Sequence, residues 1–406
     1  MQATPKANRL HLAIFGRRNV GKSSLINALT GQEVALVSEI PGTTTDPVFK
    51  AIEIPPLGPC MLIDTAGLDD TSKLGALRIK KTREVLDQTH LVLLVLDNAT
   101  ENLELEQELK AEIAARNIPL IGVLNKIDQG TSTREEKEKQ LGLPLIEVSA
   151  LYGRGIDQLK EQIIRQAPAD FEAPTIVGDL IKPGDLCLLV VPLDQAAPRG
   201  RLILPQVQTI RDILDHQAVA IMVGVNELHP TLDQLKNNPR LVITDSQVFP
   251  AVAKVTPDEV WLTSFSILFA RFKGDLVELV KGARGIKKLK PGDRVLIAEA
   301  CTHHRQEDDI GRVKIPRFLE QYIGGTLNFQ WSSGADYPAN LEDFQLIVHC
   351  GACMLNRRQM QQRLQQVREK GIPIVNYGVL LAYVHGILER TLQPFPQALA
   401  VLLSAN

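Results

Sequence analysis

The sequence predicts an α/β chain: an N-terminal P-loop domain with a mostly parallel sheet between helices, then two further α/β domains. Three observations lead there. From His11 to about Gln166, short apolar runs alternate with helical patterns, the rhythm of βα units that stack a parallel sheet between helices. The loop Gly16-Arg17-Arg18-Asn19-Val20-Gly21-Lys22-Ser23 stands between the strand-like HLAIF and the helical SSLINALTG, the context a phosphate-binding loop requires. The turn Lys-Pro-Gly-Asp occurs at 182–185 and again at 290–293, each time entering an apolar strand.

In order, the first region supplies the strand-like runs HLAIF, CMLID, HLVLLVLD, IPLIGVLNKID and LPLIEVSA. A stretch with two prolines and little periodicity, APADFEAPTIVGD (167–179), reads as a linker. After the first Lys182-Pro183-Gly184-Asp185 turn come LCLLVV, a helix near 205–216, the run AVAIMVGV, a helix near 231–237 and LVIT. After Lys290-Pro291-Gly292-Asp293 come RVLIAEA, a helix near 316–323, FQLIVHC, a long helix near 355–370 and IPIVN. The two stretches share a turn and an order of elements, so they are either related modules or a chance recurrence of a turn that suits any loop entering a strand. The expected domains are 1–170, 175–265 and 266–406.

Composition narrows the function classes. The 406 residues are 44 % apolar and 23 % charged, ordinary for globular domains. Lys+Arg 45 against Asp+Glu 47 gives a net charge of −2, so no bulk basic field points to nucleic acid or an anionic membrane. No run approaches the ~20 apolar residues that span a bilayer. The chain starts directly into a strand without a signal peptide's apolar core. Five cysteines, an odd number, do not read as a disulfide framework. A cytoplasmic protein with no nucleic-acid or membrane partner is expected.

In the loop, the glycines let backbone N–H groups curl around a β-phosphate, and the helix N-terminus adds its positive end. Lys22 reaches the β/γ-phosphates, and the Ser23 hydroxyl suits Mg2+. Asp64-Thr65-Ala66-Gly67 closes the strand CMLID. Asp64 can hold Mg2+ through water and the Gly67 amide can meet the γ-phosphate. Asn125-Lys126-Ile127-Asp128 closes LIGVLNKID. A carboxylate at Asp128 accepts from guanine N1 and N2, which adenine cannot supply, and Ser149-Ala150-Leu151 is placed to offer a backbone amide to guanine O6. The nucleotide-contacting set is therefore Gly16, Asn19, Gly21, Lys22, Ser23, Ser24, Asp64, Asn125, Lys126, Asp128, Ser149 and Ala150. Together these motifs predict a GTPase that yields GDP and phosphate.

These residues resemble the translation-factor-like small GTPases, in particular the branch containing the tRNA-modification and Era-type enzymes. The segment VALVSEIPGTTTDPV (34–48) is similar to their switch, which implies Thr44 as the Mg2+ ligand beside Ser23 and Asp64, with Thr43 and Thr45 next to it. Leu68 stands where Ras-like enzymes carry a water-orienting glutamine, so unaided hydrolysis is expected to be slow. Asn19 matches the asparagine that coordinates an activating K+ in that branch, or is a plain turn residue. Lys22, Thr44, Gly67 and Asn19 are the residues expected to serve hydrolysis.

Cys60 and Cys187 lie in apolar strands and read as small buried hydrophobes. Cys301-Thr302-His303-His304 and His349-Cys350-Gly351-Ala352-Cys353 each follow a predicted strand, the usual place for sites in open α/β sheets. Gly351 is expected to permit the tight turn, and the helix N-terminus beyond it favours thiolate. Three cysteines with nearby histidines suit either structural zinc or a 4Fe–4S cluster with one iron left to another ligand. His303, His304 or His349 can be that ligand, or can orient the thiolates.

A GTPase domain followed by C-x-H and then H-C-x-x-C resembles the family of FeFe-hydrogenase maturation GTPases over essentially the whole chain. The resemblance implies a 4Fe–4S cluster on Cys301, Cys350 and Cys353 and a central dimerisation domain, hence a homodimer. It also implies a scaffold that assembles a two-iron subcluster with radical-SAM maturases and delivers it to the hydrogenase apoprotein. The alternative is a ribosome- or RNA-associated GTPase with a structural zinc site. The segment LCLLVVPLD is either an edge strand pairing across that dimer or a core strand. The basic helix at 355–370 either packs on its sheet or docks acidic partners.

Overall fold

Six consecutive residues of β1 (Leu10–Phe15) are buried, because neighbouring strands and helices cover both faces of the sheet they form. Leu10, Leu12 and Ile14 point into one core with Leu25, Ile26 and Leu159, while Ala13 and Phe15 point into the other with Leu109 and Ile113. The computed structural model describes residues 4–31, 47–69, 84–168, 175–192, 202–300, 309–334, 337–338 and 340–404. They divide into two compact units, residues 1–172 and 173–406.

The first unit continues with β2 (Val48–Ile54), β3 (Gly58–Asp64), β4 (Leu91–Asp97), β5 (Leu120–Asn125) and β6 (Leu145–Glu147). Its strand order is β2-β3-β1-β4-β5-β6, parallel except for β2 against β3. The helices are α1 (Lys22–Thr30), α2 (Glu104–Ala115), α3 (Arg134–Leu141) and α4 (Ile156–Gln166). Strand β2 has no counterpart among the expected elements. It is a half-exposed edge, and Lys50 and Glu53 interrupt its apolar residues.

The second unit holds two four-stranded sheets. The first is built from β7 (Leu186–Val190), β8 (Val219–Val223), β9 (Leu241–Thr244) and β10 (Trp261–Ser264); the second from β11 (Arg294–Glu299), β12 (Asn328–Ser333), β13 (Leu346–His349) and β14 (Ile374–Asn376). Their orders are β8-β7-β9-β10 and β12-β11-β13-β14, and every pairing is parallel. Numbered within its own half, each sheet therefore reads second-first-third-fourth.

The entry turns match atom for atom. The Lys182 N–H donates to Asp185 Oδ2 at 2.8 Å and the Lys290 N–H to Asp293 Oδ2 at 2.8 Å. Gly184 and Gly292 take φ of 84° and 92°, the left-handed region that glycine enters without cost. The fourth strand of each half ends on a residue that caps the next helix: Ser264 accepts from the Ile267 N–H, and Asn376 from the Val379 N–H. The halves are α/β modules of the same topology. LCLLVVPLD contributes β7, which lies between β8 and β9, so it is a core strand and the edges of that sheet are β8 and β10.

The second unit's helices are α5 (Leu204–Asp215), α6 (Leu228–Gln234), α7 (Phe249–Val255), α8 (Phe265–Lys273), α9 (Leu276–Arg284), α10 (Ile315–Ile323), α11 (Arg357–Glu369), α12 (Tyr377–Val384), α13 (Leu388–Thr391) and α14 (Pro396–Leu403). One core runs through both modules, from Ile176 to Ala398. Its hub is α8, FSILFARFK, buried at Phe265, Ile267, Leu268, Phe269, Ala270, Phe272 and Lys273. A helix apolar on nearly all sides must be enclosed, and α8 touches α5 of the first module and α11 and α12 of the second. Among the described residues no helix is long and apolar enough to cross a membrane.

Helix α9 lies close against β14. A Cβ on Gly282 would fall 1.7 Å from the Ile374 carbonyl oxygen, so any side chain there forces helix and strand apart. Gly282→Ala is expected to destabilise the second unit by about 2 kcal/mol or more. Denaturant unfolding followed by circular dichroism measures it; an unchanged midpoint would contradict the close packing.

Candidate nucleotide and cysteine sites

The loop after β1 is fixed by backbone geometry that its residues suit. Gly16 and Gly21 have φ of 156° and 93°, and Asn19 has φ of 59°. A Cβ on Gly21 would sit 2.3 Å from Asn125 Nδ2. Asparagine tolerates the left-handed region, so the turn alone accounts for Asn19, whose side chain is exposed.

The Lys22 ammonium donates to the carbonyls of Gly16 at 2.9 Å and Arg17 at 2.7 Å. Burial pushes its pKa down to about 8, against the pull of Asp64 and Asp69. The Ser23 hydroxyl, at the start of α1, donates to Asp64 Oδ2 at 2.8 Å across from the end of β3. Burial raises the Asp64 pKa, opposed by the Ser23 hydrogen bond and by Lys22. A hydroxyl and a carboxylate oxygen this close, beside a phosphate loop, form a donor set that suits a hard divalent cation. The Arg18 N–H donates to Asp69 Oδ1 at 2.8 Å, and a Cβ on Gly67 would fall 2.9 Å from the Arg18 nitrogen. The loop after β3 thus presses on the phosphate loop. Leu68 packs against the core on its side of the sheet.

Asn125 joins the base-side loops. Its Nδ2 donates to the Val20 carbonyl at 2.9 Å, and its Oδ1 accepts from the Ala150 N–H at 3.0 Å. The Ser149 hydroxyl donates to Asp128 Oδ1, which orients the carboxylate expected to read guanine. Lys126, at φ 61°, pairs with Asp97 at 3.1 Å. Ser24 lies in the first turn of α1. Thr43, Thr44 and Thr45 lie outside the described residues.

The second cluster of candidates follows β13. Ala298 of β11 pairs with His349 of β13. The Cys350 N–H donates to the Ala298 carbonyl at 3.0 Å, and the Ala300 N–H donates to Cys350 Sγ at 3.2 Å. Ala300 directly precedes Cys301 in the chain, while Cys301, His303 and His304 lie outside the described residues. Among the described residues no three His, Cys, Asp or Glu side chains gather as a metal site. Cys350 is buried and Cys353 partly exposed. Cys60 and Cys187 are buried, and burial pushes both thiols up to about 12; they stay protonated.

The tight turn is made by Ala352, not Gly351. Ala352 has φ of 51°, whereas a Cβ on Gly351 would meet open space. A β-carbon in the left-handed region costs of order 1 kcal/mol and persists only where neighbours hold it.

His349 is fully buried, and both its ring nitrogens are engaged. Nδ1 lies 2.8 Å from the Cys350 carbonyl, and Arg363 Nε donates to Nε2 at 2.9 Å. These partners set the Nδ1–H form, in which Nε2 accepts. Arg363 is itself buried, its guanidinium 4.1 Å from the centre of the Tyr337 ring. The basic helix turns Met360, Arg363, Leu364 and Val367 inward, so it packs on its sheet. Arg363 was readable as an intruder in that apolar stripe. The other residue that sequence reasoning missed, Lys273, carries no such signal.

Three family models match the chain: "50S ribosome-binding GTPase" over residues 11–126, "Hydrogen maturase F dimerization domain" over 176–274 and "Hydrogen maturase F tetramerization domain" over 277–394. GTPase Der of Helicobacter hepaticus is 36% identical over 178 residues, 41% of this chain and 36% of that protein. The tRNA modification GTPase MnmE of Aquifex aeolicus is 38% identical over 162 residues, 40% of this chain and 35% of that protein. The chain thus spans about a third of the length of these relatives. Among solved structures, the G domain of the T. maritima FeoB iron transporter is 32% identical, covering 39% of this chain and 98% of that one at a TM-score of 0.31.

The Lys22 environment makes nucleotide affinity depend on pH. In the free chain its pKa is about 8, and phosphates that accept from the ammonium raise it again. Above pH 8 the free chain must take up a proton to bind. The Kd for GTP should therefore rise about tenfold between about pH 7 and pH 9. Calorimetry in two buffers of different ionisation heat measures both quantities; a flat Kd with no proton uptake would contradict the assignment.

Proposed function

The chain belongs to the hydrogen maturase F family and is a GTPase, and from that premise we propose that it is a scaffold and carrier in FeFe-hydrogenase maturation. In this reading Cys301, Cys350 and Cys353 hold a 4Fe–4S cluster. The chain assembles a two-iron subcluster with radical-SAM maturases and passes it to the hydrogenase apoprotein. The observation that carries it is the hydrogen bond from the Ala300 amide to Cys350 Sγ. It brings the H-C-x-x-C loop to the residue preceding Cys301, at the ends of two adjacent parallel strands. Dimerization and tetramerization models matched over 176–274 and 277–394 support self-association, and the homodimer is part of the proposal.

At the nucleotide site the chain binds GTP, orients it and stabilises charge. The Lys22 ammonium exchanges its two carbonyl partners for phosphate oxygens, while the amides of residues 16–24 surround the β-phosphate. Ser23, Asp64 and Thr44 would hold Mg2+, which neutralises charge on the β- and γ-phosphates. Asp128, oriented by Ser149, accepts from guanine N1 and N2, and a backbone amide of the Ser149-Ala150-Leu151 loop meets O6. Leu68 cannot orient the attacking water, so unaided turnover is slow. Asn19, exposed on the phosphate loop, would hold K+, which supplies a positive charge where other GTPases use an arginine. Replacing K+ by Na+ should then slow turnover at least about tenfold, and Asn19→Ala should abolish the difference between the two ions. Equal rates in both salts would leave Asn19 a turn residue.

At the cysteine site the donor set fits an iron–sulfur cluster. Sulfur ligands come from a C-x-x-C loop and a third cysteine, and an N–H···S hydrogen bond is of the kind that tunes such clusters. When bound, the cluster supplies an iron centre with an exchangeable position. His349, with both nitrogens engaged, orients the Cys350 carbonyl and is not the fourth ligand; His303 and His304 stay candidates for that role.

After anaerobic purification and reconstitution with iron and sulfide, the chain should hold about four irons. The dithionite-reduced sample should give an S = 1/2 EPR signal, lost in Cys301→Ala, Cys350→Ala and Cys353→Ala. Stoichiometric zinc with no EPR signal would replace this reading with a zinc-stapled GTPase.

A further inference from the structure

A lysine at the last position of a helix is ordinarily a solvated partner for the helix dipole. Lys273 ends α8 but is 2 % exposed. Its ammonium donates to the carbonyls of Cys353 at 2.8 Å and Leu355 at 2.8 Å, and lies 3.4 Å from that of Ala352. An ammonium has three donors, and here three carbonyls of one short loop converge on it. That loop is the C-x-x-C segment, and it holds Ala352 in the left-handed region at φ 51°.

The bonding between the two elements is reciprocal. Arg357 Nη1 donates to the Phe272 carbonyl at 2.8 Å, and Gln361 Nε2 to the Gly274 carbonyl at 2.8 Å. The residues on either side of Lys273 thus accept from α11, while Lys273 itself donates to the loop in front of α11. Burying a lysine costs side-chain entropy and hydration, and the loop it organises is the one that bears Cys350 and Cys353.

We infer that Lys273 is a positioning residue for the cysteine loop: it holds the strained Ala352 turn, and it places a fixed positive charge beside the metal site. The first half stands on the geometry alone. The second rests on the iron–sulfur reading, because a buried cation next to a thiolate-bound cluster favours the more negative, reduced state and so raises the reduction potential. Lys273 comes from the module matched by the dimerization model, so that module completes the cysteine site of the other.

The test uses the full-length chain and the variants Lys273→Met, Ala352→Gly and their combination. In the metal-free Lys273→Met chain, amide hydrogen exchange across residues 351–355 should accelerate about tenfold, the equivalent of one lost net hydrogen bond. After anaerobic reconstitution, its iron content should fall and its midpoint potential should shift to a more negative value. Adding Ala352→Gly should restore exchange protection and iron content in part, since glycine adopts the turn without strain. It should leave the potential shifted, because the charge is still missing. If Lys273→Met does not fold, Lys273→Gln keeps two donors without the charge and should lower the potential with smaller change in exchange. Wild-type exchange and wild-type potential in whichever variant folds would overturn the inference while leaving the iron–sulfur reading in place. Accelerated exchange in a chain whose wild type takes up no iron would overturn that reading and keep the loop-holding role.

Discussion

A parallel strand buried on both faces delivers its next loop to one edge of the sheet, and the chemistry of this chain depends on that constraint. Such a sheet cannot shift without breaking the packing on both of its faces at once, so a loop leaving its carboxyl edge starts from a fixed point. The phosphate loop leaves β1, Asp64 ends β3, Asn125 ends β5, and Ser149 follows β6. In the second unit His349 ends β13 and Cys350 follows it, while Ala300 and Cys301 follow β11. Six buried residues in β1, and four in each of β11 and β13, anchor the strands that carry these loops.

The second unit uses the same device twice and then modifies one copy. Both modules have the same turn, strand order and helix-capping position, yet only the second carries cysteines at its carboxyl edge. The two copies share one core rather than standing apart, and α8 is the element enclosed by both. That enclosure puts a residue of the first module, Lys273, into hydrogen-bonding distance of the second module's cysteine loop. His349 does a related task from the strand side. Held by Arg363 and by its bond to the Cys350 carbonyl, it fixes the start of the loop whose end Lys273 fixes.

Much of this was legible from sequence because the informative residues are local. The phosphate loop, Asp64, Asn125 and Asp128 fall at strand ends that continuous apolar runs mark out, and LVIT is β9 to the residue. The recurrence of Lys-Pro-Gly-Asp anticipated two modules of the same topology. Three strands escaped: β2, β10 and β12. Each is an edge, and edge strands such as NFQWSS in β12 mix polar with apolar residues because one side is only half-covered. Composition points to Gly351 for the turn, whereas Ala352 makes it, because a tertiary contact from Lys273 and a local bond from the Leu355 N–H hold a conformation that alanine alone avoids. Lys273 lies 80 residues from Cys353 in sequence, and no local pattern links the two.

A phosphate loop and a paired-cysteine loop thus stand on one chain of near-neutral overall charge. The central claim is that the carboxyl ends of β11 and β13 carry an iron–sulfur cluster. Anomalous X-ray diffraction at the iron and zinc edges, from crystals grown anaerobically after reconstitution, tests it most directly. The account predicts an anomalous peak beside Cys350 and Cys353 in every chain that is present just above the iron edge and lost just below it, with no step in that peak across the zinc edge. A step across the zinc edge there, or no anomalous peak at all, would contradict it.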